Sequence, residues 1–226
     1  MTPAGYVRQG NVSNIFFDLD GTLVDPGRGI SDSIQYALKC LGVAPPPAEN
    51  LRWCVGPPLR EIFSKLLPAP TSPEELEHAV SLYLERHSSV GLYQATAYDG
   101  VTEMLAALRD GARLFVVTSK VTASAERILQ ALSLRGYFDM VTGSSPDGML
   151  ADKADALGTI LKQRKIEANS AAIVGDRAHD VRAGKRNGVF TVGVAYGYGT
   201  TSELIQSGAD EICDSPAAVS EFLKRK

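Results

Sequence analysis

Apolar and polar positions alternate along this chain in short blocks. Brief apolar runs with the length and composition of buried strands occupy residues 15–17, 113–117, 140–142, 171–174, 190–194 and 211–213. Segments with apolar residues three or four positions apart, typical of helices, occupy residues 101–109, 123–132, 154–164, 180–187 and 216–224. Strands and helices in alternation predict a doubly wound α/β fold, in which a parallel sheet carries helices on both faces.

Residues 27–93 follow a different pattern, because only helical periodicity appears there. The predicted helices cover residues 30–41, 58–67 and 73–89. The pattern predicts a small helical domain, residues 27–93, inserted after the first strand. It joins the rest of the chain at residues 25–29 and 93–100. The predicted α/β core then consists of residues 1–26 and 94–226.

Composition narrows the function classes. The 226 residues are 44% hydrophobic and carry a formal net charge of −3, so no basic surface for a nucleic acid polymer is expected. No apolar stretch approaches the roughly 20 residues of a membrane helix, which predicts no membrane partner. The three cysteines are scattered and form no CxxC pair, which favours free thiols in a reducing cytoplasm.

Carboxylates directly follow two of the predicted strands. Asp18 and Asp20 are one residue apart, and residues i and i+2 of a strand share a face. Two like charges this close are costly unless a cation or a shared proton relieves them. Asp176 follows the fourth predicted strand, and Asp180 comes four residues later. Because the carboxyl ends of parallel strands share one edge, these carboxylates are expected to gather there.

Hydroxyl and cationic side chains follow the second predicted strand. Thr118 and Ser119, at a loop that leads to a helix, offer hydroxyl and backbone N–H donors for an anion. A lysine adds a point charge that suits phosphate. Lys120 comes directly after these residues, so it is one candidate for that role.

This set of side chains suits phosphoryl transfer. Aspartate oxygens are hard ligands that suit Mg²⁺. Asp18 can act as a carboxylate nucleophile, and Asp20 can protonate the leaving oxygen and later activate water. Each motif alone also has an ordinary explanation, such as a hairpin turn at Asp20, a helix cap at Thr118 or a capping box at Asp180. Their coincidence at one sheet edge favours the functional interpretation.

The same residues resemble the motifs of the haloacid dehalogenase superfamily of phosphatases. The first motif, DxDGT followed by an apolar residue, matches residues 18–23, and an apolar strand ending in Thr or Ser matches residues 116–118. A lysine ahead of the last acidic motif is best matched by Lys153, although Lys-Ala stands here where relatives often have Lys-Pro, and Lys120 stays a competitor. The fourth motif, GDxxxD, matches residues 175–180.

The resemblance implies a role for each matched residue. Asp18 would be nucleophile and Mg²⁺ ligand, and Asp20 would be the general acid and base with its backbone carbonyl on the metal. Asp176 would bind the metal directly, and Asp180 would hold metal-bound water or the motif lysine. Phosphoryl binding would fall to Thr118, Ser119 and Lys153.

The helical insert resembles the small cap of that superfamily. Residues 56–60 are similar to the cap's specificity loop, so Arg60 is a candidate substrate contact, with a solvated helix arginine as the equal alternative. Further matches, including His179 and the Tyr196–Gly199 segment, resemble a bacterial branch named phosphoglycolate phosphatase or 5′-nucleotidase. The role of His179 is open, and Tyr196 and Tyr198 are explained equally well by packing.

The resemblance predicts Mg²⁺-dependent hydrolysis of a small phosphorylated metabolite through an aspartyl phosphate, by a monomer or homodimer. Phosphoglycolate is the first candidate substrate and a nucleoside 5′-monophosphate the second. A phosphomutase of the β-phosphoglucomutase type shares all four motifs and is the third possibility. Response-regulator receivers also combine a doubly wound sheet, Mg²⁺ and an aspartyl phosphate, but they are shorter and have no helical insert.

Overall fold

The computed structural model describes residues 12–144 and 152–226. The predicted core also includes residues 1–11 and 145–151, which lie outside the described residues. In chain order the strands are β1 Asn14–Phe17, β2 Val24–Asp25, β3 Thr96–Ala97, β4 Arg113–Val121, β5 Met140–Ser144, β6 Ala171–Gly175, β7 Phe190–Val194 and β8 Glu211–Cys213. The α-helices are α1 Gly27–Cys40, α2 Leu59–Leu66, α3 Pro73–Ser89, α4 Val101–Arg109, α5 Thr122–Ala131, α6 Lys153–Arg164, α7 Ala178–Arg186, α8 Thr201–Gln206 and α9 Pro216–Leu223. Within the described ranges, no helix has the length and apolarity needed to cross a membrane.

Six strands form one parallel sheet in the order β5-β4-β1-β6-β7-β8. The predicted doubly wound α/β fold is thus confirmed. Strand β1 lies at the centre, and the chain builds β4 and β5 on one side of it before it returns to build β6 to β8 on the other. The sheet therefore has its topological switch point outside the carboxyl ends of β1 and β6, where ligands bind in such folds.

Alternate side chains of the central strand β1 pack into two separate core layers. Ile15 and Phe17 pack into the layer that contains α4, α5 and α9, whereas Phe16 faces the layer that contains α6 and α7. Phe16 stacks on Phe115 of the neighbouring strand with ring centroids 4.8 Å apart. Burial on both faces explains why β1 is apolar at every position except its first.

The helical insert has an apolar cluster of its own. Helices α1, α2 and α3 pack around buried residues that include Ile34, Leu38, Phe63 and Tyr83. Strands β2 and β3 pair antiparallel across the two predicted joints, with Val24 opposite Ala97. Sequence patterns do not predict this ribbon, because two residues per strand are too few to show a period.

Two other elements differ from the sequence expectation. Strand β4 was expected to end at residue 117 but continues to Val121, because Val121 pairs with Ser144 of β5 after an irregularity in the register. Thr118 and Ser119 therefore lie within this extended strand and not in a loop. Helix α8 was not predicted, because its six residues are too short for a clear amphipathic pattern.

Candidate active site

The polar residues expected at the strand ends meet at the switch point, in a cavity of about 390 Å³ between the sheet and the helical insert. The sheet side of this cavity includes Asp18, Asp20, Thr118, Ser119, Lys120 and Asp176. The insert side includes Ile30, Val55, Pro57, Leu59, Tyr83 and His87. One wall is therefore charged and the other largely apolar.

Lys153 lies between two carboxylates at the floor of the site. Its Nζ is 2.9 Å from Oδ1 of Asp18 and also donates a hydrogen bond to Oδ1 of Asp180. It is the first residue of α6, whose start is fixed by the Asp152 side chain accepting backbone N–H groups of the first turn. Burial favours the neutral amine, but the two carboxylates outweigh burial and hold the pKa of Lys153 above its ordinary value.

Asp180 has two functions that the sequence presented as alternatives. Its Oδ2 accepts the backbone N–H of Arg177 at 3.0 Å, which caps the first turn of α7. Its Oδ1 accepts the hydrogen bond from Lys153. The helix cap thus orients the carboxylate that holds the lysine against Asp18.

Lys120 contacts the other member of the aspartate pair. Its Nζ is 2.8 Å from Oδ2 of Asp20. Asp20 Oδ1 is buried and has no hydrogen-bond partner among the described residues. Burial raises the pKa of the Asp20 carboxyl, and the charge of Lys120 opposes that rise. The two candidate lysines therefore contact different carboxylates, Lys153 on Asp18 and Lys120 on Asp20.

Asp176 is enclosed by a loop that follows β7. Its Oδ2 accepts the backbone N–H of Tyr198 at 2.8 Å. Gly21 has a φ of +86°, and a Cβ there would lie 2.2 Å from the same Oδ2. A Cβ on Gly199 would lie 1.8 Å from the Asp176 carbonyl oxygen. Glycine is required at positions 21 and 199 because a Cβ at either position would collide with Asp176.

The electrostatics around Asp176 are unfavourable for a lone carboxylate. The residue is 1% exposed. Burial, with the nearby charges of Asp18 and Asp180, raises its pKa to about 7. Its Oδ1 is buried without a hydrogen-bond partner among the described residues. An oxygen of this kind, next to a second carboxylate, is what a hard cation would bind.

The donor set fits Mg²⁺, which prefers oxygen ligands. Asp18 and Asp176 supply carboxylates at neighbouring strand ends. Asp18, Asp180 and His179 also bring ligand atoms within 4.8 Å of one another. However, Lys153 already bonds one oxygen of Asp18 and of Asp180, and a nitrogen ligand suits Mg²⁺ poorly. A cation is therefore expected next to Asp18 and the unpaired oxygen of Asp176, and not next to Asp180 and His179.

Thr118 and Ser119 line the same cavity as Asp18. Thr118 is 5% exposed, and its hydroxyl accepts the backbone N–H of Lys120 at 3.2 Å. The Ser119 carbonyl accepts a hydrogen bond from the Ser144 hydroxyl at 2.9 Å. These two bonds hold the end of β4 in one position.

The structure does not bring Arg60 into this group. Its guanidinium forms two hydrogen bonds with Glu77 of α3, at 2.5 and 2.8 Å, and two thirds of its side chain is exposed. The arginine at the cavity is Arg177, which sequence reasoning missed. Arg177 bonds Glu203 at 3.1 Å and reaches the Val55 carbonyl of the insert at 3.5 Å. Its position inside the GDxxxD motif was the only available signal.

Tyr198 links the site to the insert. Its hydroxyl donates to Oδ1 of Asp25, which also accepts the backbone N–H of Gly27 at 2.8 Å. The guanidinium of Arg52 lies over its ring, 5.3 Å from the centroid. The loop that encloses Asp176 therefore also holds the joint between the sheet and α1.

Comparisons with known proteins show what this chain is similar to. The family model described as haloacid dehalogenase-like hydrolase matches residues 15–194. The chain is 36% identical over 212 residues to a 5′-nucleotidase of Pseudomonas aeruginosa, covering 93% of this chain and 95% of that one. It is 33% identical to a phosphoglycolate phosphatase of Aquifex aeolicus, covering 81% and 85% of the two chains.

A solved structure shows the same architecture. A haloacid dehalogenase-like family hydrolase from Streptococcus pneumoniae superposes with a TM-score of 0.85 at 31% identity, covering 94% of this chain and 98% of that one.

Proposed function

The chain belongs to the haloacid dehalogenase-like hydrolase family and is a phosphoric monoester hydrolase, and we propose that it cleaves small phosphate monoesters by transferring the phosphoryl group to Asp18. The observation that carries the proposal is the pairing of Asp18 with the buried ammonium of Lys153 at 2.9 Å. The charge-assisted bond fixes the position of the Asp18 carboxylate at the end of β1, where it can attack phosphorus. The same ammonium is placed to neutralise phosphoryl oxygens next to Asp18.

The first half-reaction uses both aspartates. An oxygen of Asp18 forms a bond to phosphorus while the bond between phosphorus and the leaving oxygen breaks. Asp20, two residues further on, gives its proton to the leaving oxygen, so that an alcohol departs and Asp20 is left as a carboxylate. Thr118 and Ser119 donate hydrogen bonds to the phosphoryl oxygens throughout.

The second half-reaction returns the enzyme to its starting state. The Asp20 carboxylate takes a proton from water, whose oxygen bonds to phosphorus as the bond to Asp18 breaks. Inorganic phosphate leaves, Asp18 is again a carboxylate and Asp20 is again protonated. Mg²⁺, when bound through Asp18, Asp176 and the Asp20 carbonyl, would supply positive charge for the phosphoryl oxygens.

The apolar wall of the cavity supports an uncharged, partly apolar leaving group. Residues of the helical insert such as Val55, Leu59 and Tyr83 line that wall. The described lysine and arginine side chains at the cavity already have acidic partners, Lys120 on Asp20 and Arg177 on Glu203. The carboxylate of a glycolate leaving group would have to displace one of these pairs. This observation favours the 5′-nucleotidase alternative over phosphoglycolate.

A comparison of substrates tests the proposal. The purified protein should release phosphate from p-nitrophenyl phosphate with Mg²⁺ and lose that activity in EDTA. Asp18→Asn should abolish turnover, whereas Asp139→Asn, a surface substitution that removes a partner of Arg109, should not. Full turnover by Asp18→Asn would refute the nucleophile assignment.

A metabolite panel then separates the candidate substrates. Nucleoside 5′-monophosphates should show a higher kcat/KM than phosphoglycolate. The opposite order would refute the argument from the apolar wall while leaving the chemistry intact. A sugar phosphate converted to its isomer without release of phosphate would identify a phosphomutase instead.

A further inference from the structure

Lys120 is a half-buried charged group that the steps above do not use. Its Nζ lies 2.8 Å from Oδ2 of Asp20, and the side chains are only 13% and 23% exposed. Both residues line the cavity between the sheet and the helical insert. The pair is therefore neither a solvated surface contact nor part of the Lys153 cluster.

The protein backbone holds Lys120 in this position. Its N–H donates to the Thr118 hydroxyl at 3.2 Å. On the other side, a Cβ on Gly143 would lie 2.0 Å from the Lys120 carbonyl oxygen, so the neighbouring strand packs directly on this residue. These two contacts fix the backbone from which the Lys120 side chain extends to Asp20.

The two lysines of the site have separate partners. Lys153 bonds Asp18 and Asp180, whereas Lys120 bonds Asp20. The first supports the group that attacks phosphorus. The second supports the group that carries the proton.

We propose that Lys120 is a positioning residue for proton transfer by Asp20. It holds the Asp20 carboxyl group towards the leaving oxygen, and it stabilises the carboxylate that remains after the proton has moved to that oxygen. The proposal rests on the proposed function, because it requires Asp20 to act as the proton donor. A charge-assisted hydrogen bond of this type corresponds to a rate effect on the order of 10- to 100-fold.

The leaving group distinguishes this role from phosphoryl binding. p-Nitrophenolate departs without a proton, whereas the alkoxide of an alkyl phosphate or nucleoside monophosphate needs one. Loss of a residue that assists protonation should therefore slow the alkyl ester much more than the aryl ester. Loss of a residue that binds the phosphoryl group should slow both equally.

The experiment measures kcat/KM for p-nitrophenyl phosphate and for the best alkyl ester, with wild type, Lys120→Met, Lys120→Gln and Lys120→Arg. Lys120→Met and Lys120→Gln should lose on the order of 10- to 100-fold with the alkyl ester and less than about threefold with the aryl ester. Lys120→Arg retains the positive charge and should recover part of the loss. Inhibition by inorganic phosphate should be unchanged in all three variants.

A lysine in an exposed pair is the matched control. Lys65 bonds Glu61 on the surface of α2, so Lys65→Met should behave as wild type with both esters. Circular dichroism and thermal unfolding check that each variant is folded. If Lys120→Met does not fold, Lys120→Gln and Lys120→Arg still compare neutral with charged side chains.

Three results would overturn the proposal. Equal losses with both esters, together with weaker inhibition by phosphate, would make Lys120 a phosphoryl-binding residue. Unchanged kinetics would show that the ion pair has no role in proton transfer. A wild type inactive on every monoester would refute the proposed function itself, and the role of Lys120 with it.

Discussion

Replacing Asp176 by asparagine is expected to stabilise the protein when no divalent cation is added. The carboxyl is buried, and its pKa of about 7 exceeds the ordinary 3.8. When folding raises the pKa of a carboxyl, the folded state binds the proton more tightly than the unfolded state. The stability of the fold therefore falls as the pH rises from the unfolded pKa to the folded pKa. At ~1.36 kcal/mol per pKa unit, the ionised Asp176 lowers the free energy of unfolding by about 4 kcal/mol at pH 8.

Asparagine removes the charge and keeps an oxygen that accepts the backbone N–H of Tyr198. In EDTA, the free energy of unfolding measured in urea should therefore be higher for Asp176→Asn than for wild type. The expected difference is less than about 1 kcal/mol at pH 4 and about 4 kcal/mol at pH 8. Addition of Mg²⁺ should reduce the advantage of the variant at pH 8. The wild type gains about 2.7 kcal/mol when the metal is at 100 times its Kd, and the variant gains less.

Asp210 provides a control with the opposite sign. Although burial opposes it, the bond with Lys185 and those with Thr191 hold the pKa of Asp210 below its ordinary value. Asp210→Asn should therefore lose stability at pH 8 relative to wild type. If Asp176→Asn were no more stable than wild type in EDTA at pH 8, or gained as much from Mg²⁺, the account of Asp176 would be wrong.

Three further substitutions test the arrangement of the site and the cap. Gly21→Ala should lower kcat/KM on the order of 100-fold or prevent folding, because the new Cβ would lie 2.2 Å from Asp176 Oδ2; a Mg²⁺ titration that matches wild type would contradict this. Tyr198→Phe removes only the hydroxyl bonded to Asp25, so it should raise KM several-fold with kcat nearly unchanged, as measured in steady-state assays. Arg60→Ala should leave KM within about twofold of wild type, because the arginine is paired on the outer surface of the cap; a larger increase would make Arg60 the substrate contact that the sequence suggested.

Sequence patterns predicted most of the α/β core because local rules govern it. A strand buried on both faces is largely apolar, and the run of residues 15–17 in β1 is directly followed by Asp18. The crossover rules of parallel sheets then predicted that the ends of β1 and β6 share an edge, which brings Asp18 and Asp176 together. Strands as short as β2 and β3 gave no such signal, because their pairing depends on how the insert returns to the sheet.

The sequence did not predict which aspartate each of the two lysines contacts. Lys120 follows a predicted strand and Lys153 precedes a predicted helix, and a lysine at either place suits a phosphate. Only the packing of α6 against the sheet places Lys153 on Asp18, and only the continuation of β4 places Lys120 on Asp20.

The fold class and the aspartates at the strand ends could be read from local sequence, because side-chain period and strand composition are properties of neighbouring residues. The pairing of each charge with its carboxylate, and the apolar wall of the cavity without Arg60, follow from long-range packing. These contacts join residues far apart in the chain, such as Lys153 with Asp18 and Tyr198 with Asp25. Their geometry depends on how whole elements pack, and no local pattern encodes that.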